Sequence, residues 1–310
     1  MTRAGNAPTR TETTAGRHAG DEIASRAAPA RDGAARARVA AARRIVIKIG
    51  TNVVVGDDGG IALGRLYGLL DAIVTLVRGG RRVVLVSSGA VGLGRDRLRR
   101  AAPEPAALAR RTCAAIGQSR LIALYNDVFE RLGVVAAQVL VTRDDVADPL
   151  RAGRLGATLA TLLDVGAVPV VNENDVVAPL DAPEPAPHDA PLARSFGDND
   201  TLAALVATAI GADALVLLSD VDGLYTRHPA HAPDAELIPV VPRVTAHLVA
   251  STDHGTVRGR GGMRSKLVAA RLATSAGAHV VIANGRAPGV IDRVCAGEAV
   301  GTLFLPEEAP

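Results

Sequence analysis

The chain has 310 residues, 48% of them hydrophobic but only 2% aromatic and none of them Trp; this length supports a large core of Ala, Val, Leu and Ile, and so few rings argue against the stacking platforms of single-stranded nucleic-acid binders. The formal net charge is +3, but the excess sits in residues 1–40, with seven Arg against four acids, and the remaining 28 bases and 28 acids leave the body neutral, which argues against a nucleic-acid partner. No apolar run approaches the roughly 18 residues of a membrane span, and Cys113 and Cys295, far apart and without ligand-type neighbours, fit two packed thiols in a reducing compartment, so a cytoplasmic protein without membrane attachment is expected.

Residues 1–40 are rich in Ala, Arg, Thr and Gly without a sustained apolar period, and read as a disordered tail; they lack the apolar segment of a secretory leader. From about Arg44 onward, β-branched runs alternate with longer helical stretches. Strands are expected at 45–49, 83–86, 134–141, 168–171, 214–218, 279–283 and 302–305, and helices at 63–78, 106–132, 154–164, 200–210, 264–275 and 289–296. That alternation implies an α/β domain over 41–305 with a largely parallel sheet covered on both faces, followed by a short tail at 306–310. Ligands on such sheets collect at the carboxyl ends of the strands. The stretch from Ala178 to Ser195, with five prolines and no apolar period, reads as an exposed loop, either a lid over a site or an idle insertion.

Only two of the 35 basic residues are Lys, Lys48 and Lys266. In a chain this biased toward Arg, a retained Lys marks a place that needs a compact ammonium, because the guanidinium fork is wider and planar. Lys48 lies in Ile45-Val46-Ile47-Lys48-Ile49-Gly50-Thr51, a strand that breaks at glycine; Lys266 follows Arg260-Gly261-Gly262-Met263-Arg264-Ser265 at the start of an expected helix, where backbone N–H groups attract an anion. Neither segment has the spacing of a P-loop or of a dinucleotide fingerprint.

Four polar clusters follow predicted strands or open a predicted helix: Ser87-Ser88-Gly89, Asn172-Glu173-Asn174-Asp175, Ser219-Asp220-Val221-Asp222 and Gly197-Asp198-Asn199-Asp200. Each alone is an ordinary cap or turn; all of them at one sheet edge with both lysines make a polar ligand site. No His lies in these clusters, and the His228-Pro229-Ala230-His231 segment reads as a solvated loop rather than a metal site. Phosphoryl transfer to a carboxylate matches this inventory. An acceptor with a pKa of about 4 needs no general base, and the remaining requirements are charge neutralisation and alignment.

The segments Val46-Ile47-Lys48-Ile49-Gly50-Thr51, Val86-Ser87-Ser88-Gly89-Ala90-Val91, Ala115-Ile116-Gly117-Gln118-Ser119-Arg120-Leu121, Asn172-Glu173-Asn174-Asp175, Gly197-Asp198-Asn199-Asp200 and Gly261-Gly262-Met263 with Lys266, in that order, resemble the glutamate 5-kinases of the amino acid kinase family. The resemblance implies a three-layer α/β sandwich with an open sheet of about eight mainly parallel strands, the acceptor toward the N-terminal half and ATP toward the C-terminal half. It implies ATP-dependent phosphorylation of L-glutamate to glutamyl 5-phosphate, the first step of proline biosynthesis. Carried over by motif, Lys48 and Lys266 would neutralise the transferring phosphoryl group and Asp200 would orient them; Ser88, Asp175 and Asn199 would hold glutamate, with Asn172 and Asn174 shaping its surroundings. Lys48, Ser219, Asp220 and the loop Arg260, Gly261, Gly262, Met263, Arg264, Ser265 and Lys266 would bind ATP. Magnesium (Mg2+) would be held largely by nucleotide phosphates, with no protein metal ligand. A homodimer or homotetramer and coupling to glutamyl phosphate reductase are further implications.

Departures from the family pattern are Arg260 and Arg264 in the nucleotide loop, the Arg154-Leu155-Gly156-Ala157-Thr158 stretch, a long proline-rich segment between Asp175 and Gly197, and a chain that stops just after Phe304, without the C-terminal PUA domain of many bacterial members. Two other readings remain open on sequence: an enzyme of the same fold with another carboxylate or phosphate acceptor, and a non-catalytic nucleotide-binding regulator.

Overall fold

The computed structural model describes residues 29–56, 60–101, 110–178, 199–229, 232–252 and 262–307. Their elements, in chain order, are α1 (Pro29–Ala40), β1 (Arg44–Ile49), α2 (Thr51–Val54), α3 (Leu63–Arg78), β2 (Arg82–Ser87), α4 (Ala90–Ala101), α5 (Arg110–Arg131), β3 (Ala136–Val141), α6 (Arg143–Ala147), α7 (Pro149–Asp164), β4 (Val168–Glu173), α8 (Asn199–Ala209), β5 (Ala214–Ser219), β6 (Val240–Val241), α9 (Ala246–Ser251), α10 (Met263–Ser275), β7 (His279–Asn284), α11 (Val290–Cys295) and β8 (Thr302–Phe304).

The strands form one eight-stranded sheet in the order β3-β4-β2-β1-β5-β7-β8-β6. Every pairing is parallel except β7 with β8. β1 is central. β2 and β4 extend the sheet on one side of it and β5 and β7 on the other, so the strand order reverses at β1, the place where open α/β sheets bind ligands at the carboxyl ends of their strands. Apolar clusters cover both faces, as the continuous β-branched runs require. Ile45, Ile47 and Ile49 of β1 belong to one cluster, with Leu70 of α3 and Tyr125 of α5. Val46 belongs to the other, with Leu202 of α8 and Leu267 of α10.

This alternation places the central lysine. Side chains along a strand alternate between faces, so Lys48 shares the face of Val46, the one covered by α8 and α10. Both helices bury small residues in the same apolar cluster, Ala203 and Ala207 on α8 and Ala269, Ala270 and Ala273 on α10. Small side chains let the two helix starts, with Asp200 and Lys266, approach β1 together.

One expectation needs correction, and two elements went unread. Disorder expected through residue 40 does not extend over residues 29–40, which form α1. Among its residues of described burial the buried apolar ones are Ala35 and Val39, too sparse to show as a period, and it is held by Arg36, 5% exposed, which donates to the carbonyls of Glu298, Val300 and Pro239 at 2.9–3.1 Å. Residues 1–28 lie outside the described residues, as does most of the proline-rich segment. The helix expected over 106–132 is described from Arg110 to Arg131, and a helix absent from the sequence reading, α4, precedes it. Glycines hide α4 by lowering helix propensity, yet they are what the packing needs. A Cβ on Gly94 of α4 would overlap the Cys113 carbonyl of α5, and one on Gly117 of α5 would overlap the Ala90 carbonyl of α4. Finally, β6 is a two-residue edge strand, too short to produce a pattern.

Candidate active site

The carboxyl ends of β1, β2, β4 and β5 open into one cleft of about 680 Å³, lined among others by Lys48, Ser88, Asn172, Asn199, Ser219 and Lys266. Beneath it lies Asp200 at the start of α8, fully buried. Lys48 Nζ is 2.7 Å from Asp200 Oδ1 and Lys266 Nζ is 3.2 Å from Oδ2, so the two ammoniums sit on opposite oxygens of one carboxylate. Ser265 Oγ donates to Oδ2 as well, at 3.1 Å. Burial opposes ionisation of Asp200, but the Lys48 and Lys266 charges outweigh it and hold the carboxyl below its ordinary range. Both lysines are 6% exposed and both line the cleft. One anion therefore fixes two cations at the sheet edge, with net positive charge facing the cleft.

On the N-terminal side, Asn199 Nδ2 donates to Ser87 O at 2.6 Å, Ser88 Oγ at 2.9 Å and Asn172 Oδ1 at 2.9 Å, joining the ends of β2 and β4 to the start of α8. Helix α5 supports this cluster from below. Its Gln118 accepts from Asn172 Nδ2 at 2.8 Å, and its Tyr125 shares a 2.7 Å hydrogen bond with Ser87 Oγ in full burial, which pushes the Tyr125 hydroxyl up to about 12. Arg110, the first residue of the same helix, pairs with Asp175 at 2.6 Å. On the C-terminal side, Asp220 accepts from Asn52 Nδ2 at 2.8 Å and Ser219 Oγ at 3.2 Å. Burial raises its carboxyl, but these hydrogen bonds and Lys266 bring it below the ordinary range. Gly262 is the N-cap of α10, and Met263 begins it.

The structure brings together Lys48, Lys266, Asp200, Ser88, Asn172, Asn199, Asp175, Ser219, Asp220, Gly262 and Met263 in and just beneath the cleft. Asn174 is not among its lining residues; its backbone N–H closes onto Val141 O at 2.8 Å. Ser265 faces Asp200 rather than the cleft, and Arg264 does not line it either. Arg260 and Gly261 lie outside the described residues. His228 stands exposed on the outer rim, in keeping with a solvated loop. Sequence reasoning missed Arg110, Gln118, Tyr125 and Asn52. Of these only Gln118 carried a signal, as a member of the Ala115–Leu121 motif, within which it was given no role of its own.

Among the described residues no group of three or more His, Cys, Asp or Glu is placed to hold a metal ion, and no helix is long and apolar enough to cross a membrane. The sequence profile of the amino acid kinase family matches residues 43–284. A glutamate 5-kinase of Moorella thermoacetica is 44% identical over 279 residues, covering 88% of this chain and 69% of its own length. One of Stutzerimonas stutzeri is 43% identical over 273 residues, with coverages of 88% and 70%. Among solved structures, a UMP kinase from Bacillus anthracis shares the fold with a TM-score of 0.58 at 19% identity, covering 86% of this chain and 97% of that one. An isopentenyl phosphate kinase from T. acidophilum does so with a TM-score of 0.57 at 18% identity, with coverages of 84% and 99%. With a sheet switching order at a lysine strand and relatives similar over most of its length, the chain belongs to the amino acid kinase family, in its glutamate 5-kinase branch.

Proposed function

We propose that the chain transfers the γ-phosphoryl group of ATP to the γ-carboxylate of L-glutamate, giving ADP and L-glutamyl 5-phosphate, the entry step of proline biosynthesis. The observation that carries this reading is the pair of lysines held on opposite oxygens of buried Asp200. A carboxylate oxygen attacks the γ-phosphorus, a new C–O–P link forms, and the bond from phosphorus to the ADP oxygen breaks. The acceptor is ionised at neutral pH, so no residue has to remove a proton, and the lowered carboxyl of Asp200 suits an electrostatic anchor rather than a base. Lys48 and Lys266 neutralise the equatorial oxygens of the transferring group. Ser88, Asn199 and Asp175 hold glutamate, with Asn172 fixing Asn199. Ser219, Asp220 and the Gly262-Met263 start of α10 receive the nucleotide, together with the preceding residues Arg260 and Gly261. Magnesium would be held on the ATP phosphates rather than by protein side chains, and would supply positive charge at the leaving group.

The assembly reading is a homo-oligomer, dimer or tetramer. Its support is edge strand β3, where Leu140 is 38% exposed and the preceding Val135 70% exposed, an apolar margin that suits a second copy. Two buried free thiols suit a reducing cytoplasm. The product is an unstable acyl phosphate, which favours direct hand-over to glutamyl phosphate reductase.

Hydroxylamine trapping with ATP and magnesium tests the function, run with L-glutamate, N-acetylglutamate, aspartate and no acceptor while ADP release is followed. Hydroxamate with L-glutamate alone is the expected result. ADP release on another acceptor, or silence from all of them, overturns it.

A further inference from the structure

Asp175 does not stand alone in the cleft. Arg110, which opens α5, donates to it through Nε at 3.1 Å and Nη2 at 2.6 Å, and both bonds fall on the same oxygen, Oδ1. Asp175 Oδ2 and Arg110 Nη1 take no part in this pair. Both residues line the cleft, with side chains 10% and 35% exposed, so the pair presents an anion and a cation side by side to whatever binds there.

That juxtaposition has a chemical counterpart. An α-amino acid carries its ammonium and its carboxylate on one carbon, and a site for the whole head group must offer a negative and a positive group in contact. A lone Asp would attract the ammonium and repel the carboxylate beside it. The other cations near the acceptor half are committed elsewhere or stand apart. Lys48 and Lys266 are held on Asp200, Arg111 donates to the Ala178 carbonyl at 2.8 Å, and Arg95 lines the cleft from α4 without a bond to Asp175.

We propose that Arg110 is a specificity-determining residue: its guanidinium receives the α-carboxylate of the acceptor while Asp175 receives the α-ammonium. The pair then selects α-amino acids over acids that carry the γ-carboxylate alone. This inference rests on the glutamate reading and names which end of the substrate each charge takes. Helix α5 gives Arg110 a fixed origin, because the same helix is anchored at Gln118 to Asn172 and at Tyr125 to Ser87.

Two analogues dissect the contact. 4-Aminobutyrate keeps the γ-carboxylate and ammonium of glutamate but lacks the α-carboxylate; glutarate keeps both carboxylates and lacks the ammonium. Each is measured as acceptor or competitive inhibitor with the full chain, unmutated and as Arg110→Ala and Arg110→Lys. Charged hydrogen bonds of this kind are worth about 10- to 100-fold. Arg110→Ala is expected to lower kcat/KM for L-glutamate by that factor, mainly through KM, to weaken glutarate similarly, and to leave 4-aminobutyrate unchanged; Arg110→Lys recovers part of the loss. Equal losses on all three compounds would make Arg110 a mere brace for Asp175 and overturn the proposal, as would no loss at all. If Arg110→Ala does not fold, the ratio of glutamate to 4-aminobutyrate in Arg110→Lys and Arg110→Gln decides by the same criterion. An unmutated chain inactive on L-glutamate would overturn the function and this inference together, whereas an active one whose discrimination survives Arg110→Ala would overturn this inference alone.

Discussion

Replacing Asp200 by Asn keeps the shape of the side chain and removes the charge on which both lysines rest. With an effective dielectric constant of about 20, contacts of 2.7 and 3.2 Å correspond to gross attractions of about 6 and 5 kcal/mol. Desolvation of three buried charges offsets much of this, and breaking a buried pair typically costs a net of about 3–5 kcal/mol. Expressed in the transition state, about 3 kcal/mol of lost lysine placement lowers kcat roughly 100-fold. The stability part has a pH signature. Because the folded carboxyl of Asp200 lies below its ordinary value, its contribution is full above the unfolded value of about 3.9 and disappears as pH falls through the lower folded one. The stability gap between parent and Asp200→Asn is therefore constant from pH 7 to about 5 and closes below about 4. Urea unfolding across this range, with hydroxamate formation at saturating substrates for kcat, measures both effects. An Asp200→Asn chain with kcat within threefold of the parent, or a gap that widens as pH falls, would refute the reasoning.

Lys48→Arg and Lys266→Arg conserve charge but not shape; each site is 6% exposed and closed around a single ammonium, so kcat is expected to fall at least 100-fold in either variant while circular dichroism is unchanged, and a rate within threefold would show that charge alone suffices. Gly117→Ala forces a methyl against the Ala90 carbonyl, and backbone on both sides must move; a loss of about 1–3 kcal/mol in urea unfolding is expected, together with a raised KM for glutamate because α5 carries Gln118 and Arg110. Arg36→Ala leaves the Glu298, Val300 and Pro239 carbonyls without their shared donor, and a destabilisation of at least about 2 kcal/mol is expected with kcat unchanged at 25 °C; activity loss without a stability loss would contradict a purely structural role for α1.

The reaction centre was legible in the sequence because its parts are local signals. Lys48 interrupts an apolar strand, and Lys266 follows a glycine turn into a helix. Period-two alternation then accounts for why Lys48 points toward α8 rather than α3. What stayed hidden depends on partners distant in the chain. Arg110 and Asp175 are 65 residues apart, and Gln118 and Asn172 are 54 apart. Only the folding of α5 beneath β2 and β4 brings them together. Helix α4 escaped because the glycines that permit its contact with α5 also lower its helix propensity, and α1 escaped because a buried Arg rather than an apolar stripe fastens it. Asn174 shows the opposite failure. It shares a motif with Asn172 and Asp175, yet it lies one residue past the end of β4, its backbone N–H is bonded to Val141 O, and it is not among the residues that line the cleft.

Direct attack by the γ-carboxylate on the γ-phosphorus is the claim on which the account stands, and isotope transfer reports it without reference to any mutant. L-Glutamate labelled with oxygen-18 in both γ-carboxylate oxygens is incubated with the chain, ATP, magnesium and hydroxylamine, and the inorganic phosphate released from the trapped product is analysed by mass spectrometry. Phosphate carrying one oxygen-18 atom from the carboxylate is the expected result; unlabelled phosphate formed at the rate of ADP release would mean that water, and not glutamate, accepts the phosphoryl group.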